Sequence, residues 1–264
     1  MRIALCLEYD GSCFSGWQSQ PNGNTVQDVL EKALAQIAGE QVRTLCAGRT
    51  DAGVHALAQV VHFDTKVARP VTAWVRGVNA HLPPAVSVRW AIPVAEDFHA
   101  RFGARARRYN YLLLNRSERP GLWAGKVGWY HRPLDLDLMQ TAAKCLLGEH
   151  DFSSFRAAEC QAKSPVKHLH QCEISQAGDL LVLNLRANAF LHHMVRNLVG
   201  ALVYVGIGRL TPEDFAKLLV ARDRRLAPPT FSPDGLYFAG VEYDASSGLP
   251  EEGRIIASPV LPII

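Results

Sequence analysis

Twice along its 264 residues the chain runs through a similar order of strand and helix patterns. The first half opens on a strand-like alternation at 2–9. It crosses a Gly/Ser/Pro-rich loop, GSCFSGWQSQPNGN, and enters a helix at TVQDVLEKALAQIAG. There Val26, Val29, Leu30, Ala33, Leu34 and Ile37 recur at the spacing of one helical face. Thr25 suits an N-cap, Asp28 the first turn and Gly39 the stop. A helix around AWVRGVNAHL and a strand around VSVRWAIPV follow. The second half restarts with a strand at RRYNYLLLN and an Asp-capped helix at DLDLMQTAAKCLLGEH, with Gly148 near its end. A hairpin, LHQCEISQAGDLLVLNLRANA, turns near Ala177-Gly178-Asp179. Then come a long helix with few charges, FLHHMVRNLVGALVYVGIG, and a helix at TPEDFAKLLVARD with Thr211 as cap and Pro212 at its first position. GLYFAGVEY is the last strand. No clear residue-level repeat and no long low-complexity linker accompany the pattern. The reading is an α+β fold of two similar halves, 1–105 and 106–245, with a tail at 246–264.

Composition narrows the classes. Hydrophobic residues make up 48% of the chain, ample for a packed core. No run of about 18 uncharged apolar residues occurs, so no membrane-spanning helix is expected. The opening MRIALCLEYDG has too short an apolar run for a signal peptide, acquires Glu8 and Asp10, and lacks a small-residue cleavage site. The expected location is therefore the cytoplasm. Cys6, Cys13, Cys46, Cys145, Cys160 and Cys172 are scattered without a CxxC, which argues against a zinc ribbon or a thioredoxin motif. Reduced, partly buried thiols are expected.

The segment CAGRTDAGVHALAQVVHFDT, residues 46 to 65, carries the chemistry. Arg49 and Asp51 are separated only by Thr50, between Gly48 and Gly53, and a core strand follows. Residues i and i+2 of an extended segment face one side, so Arg49 and Asp51 can project together. The glycines admit backbone angles closed to other residues and let a ligand approach. A carboxylate kept ionised beside an arginine can serve as nucleophile, base or metal ligand. Loops fixed on a rigid scaffold are where functional residues concentrate.

The net charge of +3 says little about partners, but its distribution says more. HARFGARARRYNY, residues 99 to 111, holds Arg101, Arg105, Arg107 and Arg108 without an acid. Phe98, Phe102, Tyr109 and Tyr111 are interleaved. Arginine supplies bidentate phosphate contacts, and an aromatic face stacks on an unpaired base. Tyr109 and Tyr111 share a strand face, one suited to a site and the other to packing. A second basic cluster, ARDRRLAPP, lies near 221 to 229. In FLHHMVRN, Arg196 interrupts an apolar helix and needs a carboxylate partner; Asp51 is one candidate. His192 and His193, being adjacent, are expected to point apart. His168, His170 and Cys172 fall at i, i+2 and i+4 of a strand, a metal-capable face without an evident fourth ligand.

Taken in order, GRTDAGVHA, VNAHLP, DFHARFGARARRYNY, LLGEHDFSSFRA, ANAFLHHMVRNLVG and DGLYFAGVEY resemble the TruA family of tRNA pseudouridine synthases. The likeness runs from EYDG at residue 8 to about residue 244. It implies two α+β halves around a mixed, mostly antiparallel sheet with a central basic cleft. It also implies a homodimer that isomerises uridine to pseudouridine at positions 38 to 40 of the tRNA anticodon stem-loop, with no organic cofactor and no metal in the chemistry. On the same basis Asp51 is the catalytic nucleophile, attacking either C1′ or the uracil ring. Tyr109 is the active-site tyrosine and Arg196 the partner of Asp51. Arg49 serves RNA binding and base extrusion. Arg101, Arg105, Arg107 and Arg108 are candidates for holding the flanking backbone. Two other readings compete: a non-catalytic tRNA-binding protein or RNA chaperone, and a metal-dependent hydrolase using Asp51 with the His168/His170/Cys172 face.

Overall fold

The computed structural model describes residues 1–21 and 23–250. In chain order its elements are β1 (Arg2–Tyr9), α1 (Val26–Ala38), β2 (Thr44–Cys46), β3 (His55–Asp64), α2 (Val78–His81) and β4 (Val86–Val94). There follow β5 (Ala104–Asn115), β6 (Gly128–Tyr130), α3 (Leu136–Lys144), β7 (Gly148–Asp151), β8 (Val166–Ala177) and β9 (Leu180–Ala187). The series ends with α4 (Met194–Gly206), α5 (Pro212–Ala221) and β10 (Leu236–Tyr243). Two compact units share these elements. Of the described residues, one unit holds Met1 to Arg107 together with the chain from Tyr237 to residue 250; the other is Arg108–Leu236. The sequence-based tail at 246–264 is described only to residue 250; its remainder lies outside the described residues. Among the described residues no helix is long and apolar enough to cross a membrane.

In the first unit the strand order is β4-β1-β3-β10, with β2 also on β3. β1 is antiparallel to β3 and to β4, β2 is antiparallel to β3, and only β10 runs parallel to β3, pairing Tyr237 with His55 and Phe238 with Ala56. The sheet is thus mixed and mostly antiparallel. β3 is buried at nearly every position, the pattern of a strand covered on both faces. α1 forms as its pattern predicts. The Thr25 hydroxyl accepts from the Asp28 amide, Val26, Leu30, Ala33, Leu34 and Ala38 are buried, and Gly39 ends the helix in the left-handed region. The AWVRGVNAHL stretch is a single π turn, Ala73–Gly77, running into the short α2.

In the second unit the order is β5-β9-β8-β7, with β6 on β5. β7–β8 and β8–β9 are antiparallel and β5–β6 is parallel. The β8–β9 hairpin closes with Ala177 opposite Leu180, where its Gly-Asp turn was expected. Three differences from the sequence reading have physical causes. α3 stops at Lys144, because Gly148 takes φ +97 and starts β7. α4 starts at Met194, not Phe190, because His193 takes φ +60 and sits before the helix. In β8 the register slips between Leu169 and Gln171. A bulge reverses the alternation beyond it, so Leu169 and Cys172 are both buried while His170 is exposed. The His168/His170/Cys172 face therefore does not form.

Candidate active site

The loop between β2 and β3 carries Arg49 and Asp51, and it is fastened along its length within the first unit. The Ala47 amide donates to the Val60 carbonyl at 2.8 Å, and the Ala47 carbonyl accepts from Arg107 Nη2 at 3.2 Å. Gln59 Nε2 donates to the Gly48 carbonyl at 2.6 Å. The Thr50 hydroxyl shares a 2.8 Å hydrogen bond with the Tyr9 hydroxyl, and its carbonyl accepts from the Trp17 amide at 3.0 Å. The Asp51 carbonyl accepts from the Val54 amide at 3.1 Å, closing the turn in which Gly53 takes φ +80. A Cβ at Gly48 would stand 2.9 Å from Phe238 Cε2, so the loop can lie this close to β10 only with glycine there. Thr50 is buried, Arg49 exposed and Asp51 half-buried. Thr50 thus points into the protein, and the residues on either side of it are turned outward, as the i, i+2 spacing predicts.

The Arg-rich stretch is less uniform than its sequence. Arg105 pairs with Asp244, Nη2 to Oδ2 at 2.6 Å, so the acid missing from the stretch comes from just beyond β10. Arg107 is half-buried and spends its guanidinium on carbonyls: Ala47, Ala104 at 3.1 Å and Arg101 at 2.5 Å. Arg101 is exposed. The Cys46 thiol feels both nearby guanidinium charges. Burial pushes it up to about 12, and Arg49 and Arg101 pull against that rise.

The second unit holds the other candidates. Arg108 is half-buried on β5. Tyr109 is nearly buried and sits edge-on to Phe190, ring centres 4.9 Å apart. Tyr111 is fully buried, donates to the Ser232 carbonyl at 2.8 Å and packs on Phe231. Burial raises its pKa well above the ordinary phenol range. Tyr111 takes the packing role expected of one of the pair. Arg196, in the first turn of α4, is half-buried; its Nε donates to the Phe231 carbonyl at 2.9 Å, while its own carbonyl accepts from the Phe231 amide. The rings of His192 and His193 lie 4.1 Å apart rather than diverging, because the positive φ at His193 folds the backbone back before α4 begins.

The sequence matches the tRNA pseudouridine synthase family over residues 5–103 and 142–244. The chain belongs to that family. Among curated tRNA pseudouridine synthase A proteins, it is 65% identical to one from Dechloromonas aromatica over 95% of this chain and 96% of the relative. It is 64% identical to one from Chromobacterium violaceum over the same shares, and 60% identical to one from Aromatoleum aromaticum over the whole of both chains. Among solved structures, the archaeal box H/ACA sRNP Nop10-Cbf5 complex matches at 12% identity and a TM-score of 0.34. That match covers 76% of this chain and 44% of the other, too slight a likeness to carry an inference.

In this family member the second basic cluster is consumed internally. Arg225 pairs with Asp223 at 2.6 Å and Arg222 Nε lies 3.5 Å from Asp151. Arg224 donates to the carbonyls of Ala227 and Pro228 and to Asn197 Oδ1. Asn197 is buried and also accepts from the Thr230 hydroxyl at 2.7 Å, while its amide donates to the Phe155 carbonyl. Asn197, Arg224 and Thr230 therefore bind the 224–231 segment to α4 beside Arg196. Nothing in the sequence links Asn197 to the basic cluster directly. The signal available was a buried-helix asparagine, which needs partners for both ends of its amide.

Proposed function

We propose that this chain, a tRNA pseudouridine synthase by family, converts uridine to pseudouridine at positions 38 to 40 of the tRNA anticodon stem-loop, with Asp51 as nucleophile. The N1–C1′ glycosidic bond breaks, the uracil turns, a C5–C1′ bond forms, the proton on C5 leaves to solvent, and the freed N1 takes up a proton, so the product is an isomer of the uridine. Nothing is oxidised or reduced overall. The observation that carries this reading is the clamped loop: buried Thr50 is held by Tyr9 and Trp17, and Arg49 and Asp51 are turned outward on either side of it. A carboxylate needs no separate base to act as nucleophile, and a fixed one loses little entropy in meeting its target.

Asp51 attacks C1′ or the ring; both routes end in the same product. Arg196 is read as its ion-pair partner, the guanidinium being already oriented by Phe231. Tyr109 is read as stacking on the extruded uracil and assisting loss of the C5 proton. The target nucleotide must leave the helix before the carboxylate reaches it, and Arg49 is assigned to that extrusion. Arg101 and Arg108 are assigned to the flanking phosphates. Arg105 joins them by exchanging Asp244, an exposed and therefore weak partner. Arg107 serves the substrate through the carbonyls it already holds. Six free thiols suit a reducing compartment, and we place the enzyme in the cytoplasm. We read it as a homodimer, with one tRNA touching both subunits. A solution mass of one chain, both alone and with tRNA, would refute the dimer.

The catalytic assignment is tested with tRNA tritiated at uracil C5. Wild type is expected to release tritium to water, while Asp51→Asn and Asp51→Ala release none detectable yet still bind the tRNA. Turnover by either variant would overturn Asp51 as nucleophile. Binding without release by wild type would leave a tRNA-binding protein instead.

A further inference from the structure

The turn at Phe98–Gly103, just ahead of β5, is built more rigidly than its exposure requires. The Ala100 amide donates to His62 Nδ1 at 3.1 Å. The Arg101 and Phe102 amides both donate to His99 Nδ1, at 3.1 and 3.2 Å, and the Gly103 amide donates to the His99 carbonyl. The Ala100 carbonyl accepts from the Tyr243 hydroxyl at 2.6 Å, and the Arg101 carbonyl from Arg107 Nη2. Every amide from Ala100 to Gly103 is thus taken up by the protein. What this frame holds out is Phe102, a residue 77% exposed, with the Arg101 guanidinium 5.7 Å from its ring centre and the His99 ring 4.3 Å away.

A single exposed apolar side chain is ordinary, and a flexible loop would explain it. Here the backbone is fixed, and the ring is accompanied by a cation. The same Arg107 guanidinium that holds the Arg101 carbonyl also holds the Ala47 carbonyl, so one side chain ties this turn to the loop carrying Arg49 and Asp51. Both Arg49 and Arg101 act on Cys46, which places their charges in one neighbourhood. An aromatic face beside a guanidinium, fixed near a loop that receives RNA, has the composition of a base-stacking platform.

We propose that Phe102 is an RNA contact, stacking on an unpaired base of the substrate tRNA near the target uridine while Arg101 meets the adjoining phosphate. This rests on the reading of the chain as a tRNA enzyme. Phe102 is a binding residue, and the chemistry stays with Asp51.

The test compares Phe102→Ala, Phe102→Leu and Phe102→Tyr with wild type, measuring tRNA affinity by filter binding and C5-tritium release under saturating tRNA. Phe102→Ala and Phe102→Leu are expected to weaken Kd and raise KM roughly tenfold, with kcat changed less than about twofold. Phe102→Tyr, which keeps an aromatic face, is expected to bind nearly as wild type. Unchanged binding by Phe102→Ala would overturn the proposal. So would Phe102→Leu matching Phe102→Tyr, since the ring would then be only apolar filler. A loss confined to kcat would overturn it as well. If wild type binds tRNA but releases no tritium, the isomerase reading fails while the Phe102 comparison still reports on stacking.

Discussion

Three polar side chains on β3 are buried, and each meets the backbone of a different loop. His55 Nδ1 accepts from the Gly11 amide, Gln59 donates to the Gly48 carbonyl, and His62 Nδ1 accepts from the Ala100 amide. Two of these loops hold residues assigned to the substrate: Arg49 and Asp51 follow Gly48, and Arg101 follows Ala100. The cost of burying these groups is offset only while the bonds hold, which makes His62 sensitive to acid. Burial, with smaller contributions from His99 and Arg2 against an opposing Asp64, lowers its pKa from 6.5 to about 4; His99 is lowered too. The unfolded chain therefore binds more protons than the folded one between those values. The contribution of His62 is complete above about pH 6.5 and drains as pH falls toward 4. At about 1.4 kcal/mol per pKa unit, the full loss is at most roughly 3.5 kcal/mol. Thermal unfolding followed from pH 7 to pH 4 should show Tm falling through this window. His62→Asn, which offers an oxygen near the Nδ1 position, should flatten the fall. A wild-type Tm insensitive to pH across 4–6.5 would contradict the assignment. Sequence showed β3 as a core strand and the GRTD loop as anchored to it. It did not show which polar residues do the fastening, because their partners are backbone groups up to 44 residues away in the chain.

At the level of elements, local chemistry was legible wherever a helix end is decided by its own neighbours. α1 and α5 begin and α1 ends where capping residues predict. In α5 the Thr211 hydroxyl accepts from the Asp214 amide at 3.1 Å, with Pro212 following in the first turn. Thr211→Ala should cost about 1 kcal/mol, read as a lowered urea midpoint with an unchanged slope. A midpoint equal to wild type would show that α5 is held by its packing alone. The misread boundaries share one cause, a backbone conformation that composition does not announce. His193 adopts a positive φ that non-glycine residues seldom take, so α4 starts late and His192 falls outside it. The bulge in β8 inserts one residue and turns Cys172 into the core, undoing a metal face that strict alternation had suggested. Periodicity fixes a face only between irregularities, and a histidine at such a point gives no warning. The Arg-rich stretch misled in the same way. Its acid, Asp244 for Arg105, lay outside the window, and in the second cluster Asp223 pairs Arg225 from within it.

For the molecule as a whole, chain order and spatial order part company at β10. The second unit, Arg108–Leu236, lies between two stretches of the first. Alternation identified GLYFAGVEY as a strand, and nothing in its composition said that it would lie parallel to β3. The consequence appears during synthesis. A ribosome makes the GRTD loop early, yet Phe238, the ring against Gly48, comes only with β10, and Tyr243, whose hydroxyl holds the Ala100 carbonyl, emerges 143 residues after Ala100. A nascent chain halted before β10 would carry Asp51 on a loop still lacking Phe238, so the loop proposed to act on the substrate gains that wall only after the whole second unit has been made.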